Sequence, residues 1–213
     1  MADSCLFGPE QRIHFTGDSI TDCGRRTPEH APLGRGYVYM AANLIVSALP
    51  ERFLVFENSG IGGNTLAELT ARWDTDVLAT RPDWLSVLVG INDCHRHFRH
   101  TPGQGPDDYR RNYAELLRRA VDACGCRLVL WEPFLITHDT GGPIRRLLQP
   151  YIDHVNALAD EFDALLIHTQ ALFDDVRARR SPEVWAADAV HPTPPGHALM
   201  ARAFCRTAGL GQM

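Results

Sequence analysis

The sequence predicts an α/β fold, a parallel sheet of five strands covered by helices in three αβα layers. Three observations lead there. Five short runs rich in apolar and β-branched residues recur along the chain, at 13–16, 53–57, 84–89, 128–131 and 165–168. Longer segments of helical period alternate with them. The long irregular stretches, 22–36, 92–108 and 133–143, all follow strands and are rich in Gly, Pro or charge.

Taken in order, the first strand at 13–16 runs straight into Gly17-Asp18-Ser19-Ile20-Thr21. A helix is expected over 37–49. The second strand, 53–57, leads into Asn58-Ser59-Gly60-Ile61-Gly62-Gly63-Asn64-Thr65, where glycines allow backbone N–H groups to face a cavity, and then into a helix over 66–78. The third and most apolar strand, 84–89, delivers Gly90-Ile91-Asn92-Asp93. A helix over 109–123 carries Tyr113, Leu116, Leu117, Ala120 and Val121 on one face, and one over 147–162 carries Tyr151, Ile152, Val155, Leu158 and Ala159. Helices over 172–179 and 195–206 complete the chain. In an open parallel sheet, loops after strands gather at the carboxyl ends, so Ser19, Gly63 and Asn92 are expected on one rim.

At 213 residues, 45% hydrophobic and 22% charged, the chain suits one soluble domain spanning residues 1–213. The formal net charge is −5 and the basic residues form no dense run, which speaks against nucleic acid or an anionic membrane as partner. All 21 basic residues are arginines, so a P-loop lysine, a Schiff-base lysine and a Ser-Lys dyad are excluded. No leader pattern opens the chain and no apolar run is long enough for a bilayer, so a cytoplasmic location is expected. Cys5, Cys23, Cys94, Cys124, Cys126 and Cys205 show no CxxC pair and are expected to be free thiols.

Ser19 near the start and Asp188-Ala189-Val190-His191-Pro192 near the end supply the residue types of a serine nucleophile, its base and the carboxylate that orients the base. Asp188 and His191 lie three residues apart, within reach of one another. Each block alone also fits an ordinary turn: a capped helix start at Gly17-Asp18-Ser19, a strand-to-helix turn at Gly60 to Thr65, an Asx-turn at Asn92. Their coincidence is what carries the reading.

Together the four blocks resemble those of the GDSL, or SGNH, hydrolases, in family order and across nearly the whole chain. The resemblance implies a flavodoxin-like sheet, Ser19 as nucleophile, His191 as general base and acid, and Asp188 as its orienter. It also implies an oxyanion hole made by the N–H groups of Ser19 and Gly63 and the amide of Asn92, with no metal or cofactor. Within the superfamily the chain looks most like acetylesterases acting on xylan-derived oligosaccharides, through residues 17–25, 33–38 and 81–86. That implies an acetylated oligosaccharide as the small-molecule ester substrate and a homo-oligomer. Those relatives commonly carry tryptophan just before the triad Asp and two residues after the third-block Asp, where this chain has Ala187 and His95. Trp185 is a candidate replacement surface.

Asp18, Asn64, His95 and Arg96 are further candidates for lining the substrate site. His95-Arg96-His97-x-x-His100 has imidazoles at a spacing that invites a metal, but no carboxylate or cysteine set accompanies them, and we expect the pocket mouth instead. His197 is expected to be structural, and Cys23 and Cys94 to be lining or buried thiols without a dedicated base. The competing readings are a lysophospholipase or thioesterase with the same triad, a noncatalytic carbohydrate-binding module on the same scaffold, and a flavin or nucleotide binder of like topology.

Overall fold

The computed structural model describes residues 5–101 and 105–211. Residues 1–4, part of the stretch read for a leader, and 102–104, part of the expected irregular stretch 92–108, lie outside it. Five parallel strands, β1 (Arg12–Gly17), β2 (Val55–Asn58), β3 (Trp84–Leu88), β4 (Arg127–Trp131) and β5 (Leu165–Ile167), pair in the order β2-β1-β3-β4-β5. That is the doubly wound order whose direction reverses between β1 and β3, where ligands bind in such sheets.

The helices are α1 (Ser19–Asp22), α2 (Tyr37–Ala48), α3 (Leu66–Asp76), α4 (Ile91–Phe98), α5 (Pro106–Cys124), α6 (Pro143–Glu161), α7 (Thr169–Arg177) and α8 (Pro194–Thr207). α2 packs on α8, while α5 packs on α3 and α6. Aromatic side chains join the sheet to the α2/α8 layer: Phe15 of β1 lies edge-on to Tyr37 and against Phe204, and Trp131 of β4 stacks on Phe204. Such pairs add roughly 0.5–1.5 kcal/mol each beyond burial. The Trp131 indole N–H donates to Ser86 Oγ of β3 at 2.8 Å, so this buried donor is satisfied. In α5 and α6, Tyr109, Tyr113 and Tyr151 pack together, and the Tyr109 hydroxyl donates to the Val89 carbonyl where β3 ends.

Three expectations are corrected. Residues 91–98 form α4 and α5 begins at Pro106, where an irregular stretch was expected; Ile91 and Cys94, three apart, are the buried face that a polar, histidine-rich segment conceals. The second strand starts at Val55 because a 3₁₀ turn, Pro50–Arg52, leaves Phe53 left-handed (φ 48°) and 75% exposed. His168 precedes α7 and does not continue β5. Among the described residues all six cysteines are free, and no helix is long and apolar enough to cross a membrane.

Candidate active site

β1 stops at Gly17, whose φ of 154° suits glycine and whose added Cβ would fall 2.1 Å from the Leu88 carbonyl oxygen. This close approach brings the start of α1 against the end of β3. Asp18 caps α1, its carboxylate accepting the Ile20 N–H at 2.9 Å, and Ser19 is the first helical residue. Ser19 Oγ lies 2.8 Å from His191 Nε2, and His191 Nδ1 lies 2.6 Å from Asp188 Oδ2.

The other Asp188 oxygen accepts the backbone N–H groups of Val190 (3.0 Å) and His191 (2.7 Å), so the carboxylate is fixed by the loop it orients. Partial burial pushes its pKa up, but the bonds from the His191 ring, His191 N–H and Val190 N–H prevail and hold it at about 2. An ionised Asp188 keeps a proton on Nδ1, which leaves Nε2 free to accept from Ser19. The loop is held at its middle and closed at its ends: the Ile136 N–H donates to Ala189 O at 2.8 Å, and Ala186 and Pro192 form an antiparallel bridge.

The glycine segment comes in beside the serine. A Cβ on Gly62 would sit 3.7 Å from Ser19 Cβ, and Gly63, at φ 80°, turns the backbone in open space. Asn92, at the start of α4, donates one amide hydrogen to Asn64 O at 3.0 Å. Among the described residues the N–H groups of Ser19 and Gly63 have no acceptor within the protein. Free backbone donors and a carboxamide with one amide hydrogen still unused are the groups that can receive negative charge on an attacked carbonyl.

Some expected lining residues are otherwise engaged. Asp18 has no exposed surface, so it cannot touch substrate; burial pushes its carboxyl up to about 7 against the bond from Ile20. Arg96 donates to Glu68 Oε1 at 2.8 Å and to Gly63 O at 3.3 Å, so it braces the glycine turn. Glu68 sits at about 2: the upward push of burial is outweighed by bonds from the Thr65 hydroxyl and N–H and by Arg96. Asn64 gives its side-chain oxygen to Arg72 at 2.9 Å. His95 shares the Asn92 face of α4 (i, i+3) and is close enough to His191 to feel its charge. Burial, with Arg99, lowers its pKa. Trp185 donates to Arg180 O at 3.2 Å and packs against the core. Among the described residues no three His, Cys, Asp or Glu side chains gather as metal ligands.

His197 is buried behind the site, its Nδ1 accepting the Tyr37 N–H at 3.2 Å and its Nε2 3.4 Å from Cys23 Sγ. That places the ring proton on Nε2, facing the sulfur, so His197 cannot draw a proton from Cys23. Burial further raises the Cys23 pKa and lowers that of His197 to about 4.

Sequence reasoning missed the residues that hold the glycine segment. Asp22 accepts the Gly62 N–H at 3.0 Å and Arg25 Nε donates to Gly60 O at 2.6 Å. Asn58 donates to Thr21 O and Leu33 O at 2.7 and 2.9 Å. Asp93, buried beside Asn92, accepts the Leu66 N–H through both oxygens (3.1 and 3.2 Å). Only Asn58, a turn-former at a strand end, carried a signal.

A serine hydroxyl 2.8 Å from an imidazole follows β1 and a carboxamide follows β3, the two strands between which the order reverses; the chain belongs to the GDSL-like lipase/acylhydrolase family, whose model matches residues 15–199. It is a carboxylic ester hydrolase of that family. It is 38% identical to an acetylxylan esterase of Geobacillus stearothermophilus over 95% of each chain. A solved catalytic mutant of Axe2, an acetylxylan esterase from that organism, in which serine is replaced by alanine, matches with a TM-score of 0.89 at 35% identity, over 95% of this chain and 96% of that one. Other catalytic mutants of Axe2 replace an aspartate and a histidine three positions apart, and a further mutant shows that a tryptophan directly precedes that aspartate. LAE5, an alpha/beta hydrolase enzyme from the metagenome of Lake Arreo, Spain, matches with a TM-score of 0.90 at 30% identity, over 97% of this chain and 99% of that one.

Proposed function

We propose that this protein removes acetyl groups from acetylated oligosaccharides, such as xylo-oligosaccharides, through an acetyl-Ser19 intermediate. The observation that carries the reading is the line Asp188–His191–Ser19, with contacts of 2.6 and 2.8 Å, in a chain 38% identical to an acetylxylan esterase along its length. His191 Nε2 takes the Ser19 proton as Oγ attacks the acetyl carbonyl. The oxyanion accepts bonds from the N–H groups of Ser19 and Gly63 and from Asn92 Nδ2, each worth roughly a hundredfold or more in rate. His191 then gives its proton to the departing sugar oxygen. Water, deprotonated by His191, attacks the acyl carbonyl, and acetate leaves as Ser19 regains its proton.

The His191 and Asp188 side chains are 54% and 58% exposed, which suits a bulky sugar carrying a small acyl group. With Ala187 before Asp188, His95 and Trp185 are the side chains we assign to the sugar. Family coverage from residue 15 to 199 supports a single domain, and free thiols support a cytoplasmic location. A homo-oligomer belongs to the same reading; light scattering tests it.

The test is acetate release from acetylated xylo-oligosaccharides by the native protein and Ser19→Ala, beside matched long-chain esters. Release abolished by the substitution is expected. Hydrolysis confined to long chains favours the lysophospholipase or thioesterase reading, and none at all the binding module.

A further inference from the structure

Arg72 lies on α3, outside all four blocks, yet its side chain is only 14% exposed and its guanidinium reaches the loops of two of them. Nε donates to Asn64 Oδ1 at 2.9 Å, one terminal nitrogen to Ser59 O at 2.5 Å and Asp76 Oδ2 at 2.7 Å, and the other to Gly17 O at 3.2 Å. Asp76, one turn along the helix, balances the charge. That ion pair lies within α3 and ties the helix to nothing else. The remaining bonds instead grip the peptide two residues before Ser19 and both ends of the glycine segment. Asn64 is held twice over: Arg72 fixes its side chain, and its own carbonyl takes one of the two Asn92 amide hydrogens. The second hydrogen of Asn92 is then the one available to a substrate oxygen.

We propose that Arg72 is a positioning residue that sets the orientation of the Asn92 amide through Asn64, and with it the geometry of the oxyanion hole; this rests on the serine-esterase reading above. The fork of a guanidinium is what the arrangement requires. A lysine carries the charge but cannot satisfy Asn64, Ser59 and Gly17 in one plane. An amide moved by a fraction of an ångström loses its advantage at the transition state while ground-state binding is untouched.

The experiment is a double-mutant cycle in acetyl-xylo-oligosaccharide hydrolysis with Arg72→Lys, Asn92→Ala and the pair, against Ser19→Ala as baseline. Arg72→Lys is expected to lower kcat by about tenfold or more with KM within about twofold, and to cost less than about twofold once Asn92 is already alanine. Equal losses in both backgrounds, or a loss carried by KM, overturn the proposal. If Arg72→Lys fails to fold, judged by its thermal transition, Asn64→Ala removes the same link and is expected to show the same coupling to Asn92; additivity there overturns it equally. Activity indifferent to Ser19→Ala overturns the esterase reading itself, an outcome distinct from additive losses in a Ser19-dependent enzyme.

Discussion

Asp93→Asn should change how stability responds to pH. The native carboxyl is fully buried, and burial, aided by the charges of Asp18 and Glu68 and opposed by the Leu66 N–H, raises its pKa from 3.8 to about 7. Below about pH 4 the group is protonated in both folded and unfolded chains and contributes nothing to the difference. Between about 4 and 7 the unfolded chain ionises while the folded one keeps its proton, so the native protein loses stability as pH rises, and above 7 the full penalty remains. Three units at 1.36 kcal/mol each give roughly 4 kcal/mol as an upper bound. Asparagine keeps the shape and an oxygen for Leu66 and never ionises; its unpaired NH2 adds a constant cost of about 1–3 kcal/mol. His197, held at about 4, acts with the opposite sign between about pH 4 and 6.5, since the folded ring refuses a proton the unfolded one accepts, but this is common to both proteins and drops out of the difference. Urea unfolding at about pH 4.5, 6 and 7.5 should therefore show the variant gaining on the native protein by roughly 2–4 kcal/mol across the range. A difference that stays constant, or moves against the variant as pH rises, refutes the reasoning.

Asp188→Asn should lower kcat by on the order of 10³–10⁴ in steady-state hydrolysis with KM little changed, because its carboxamide oxygen goes to the Val190 and His191 N–H groups and its NH2 then donates to Nδ1, forcing the proton onto Nε2. Thr65→Ala removes the side chain of the capping box at the start of α3 and should cost about 1 kcal/mol, a fall in Tm of roughly 2–4 °C by calorimetry.

What was legible in the sequence was what local pattern encodes. The β1, β3 and β4 runs are apolar enough to read directly, and the helical stripes over Tyr113 and Tyr151 name their buried faces. Gly17-Asp18-Ser19 and the Asp188–His191 spacing are short-range signals as well. α4 was concealed because five of its eight residues are polar or charged, and Asn92 at its start resembles a turn. Partnerships across the fold left no mark: Arg96 looks free to meet a substrate until Glu68, 28 residues away, takes its guanidinium. Asp18 looks like a polar rim residue until the sheet closes over it. Arg72 is one arginine among 21, and only the folded chain distinguishes it.

Ser19 and His191 stand 172 residues apart. During translation Ser19 emerges early and His191 only after all five strands have been made, so on the proposed mechanism a nascent chain stays silent toward esters for almost its entire synthesis. Contacts of such long range are also among the slowest to form, because loop-closure entropy must be overcome before they stabilise anything. Recovery of hydrolysis after dilution from denaturant therefore reports the final docking of the chain's two ends, and a nick in any intervening crossover that lets the last loop drift would extinguish turnover while leaving every residue of the site in place along the chain.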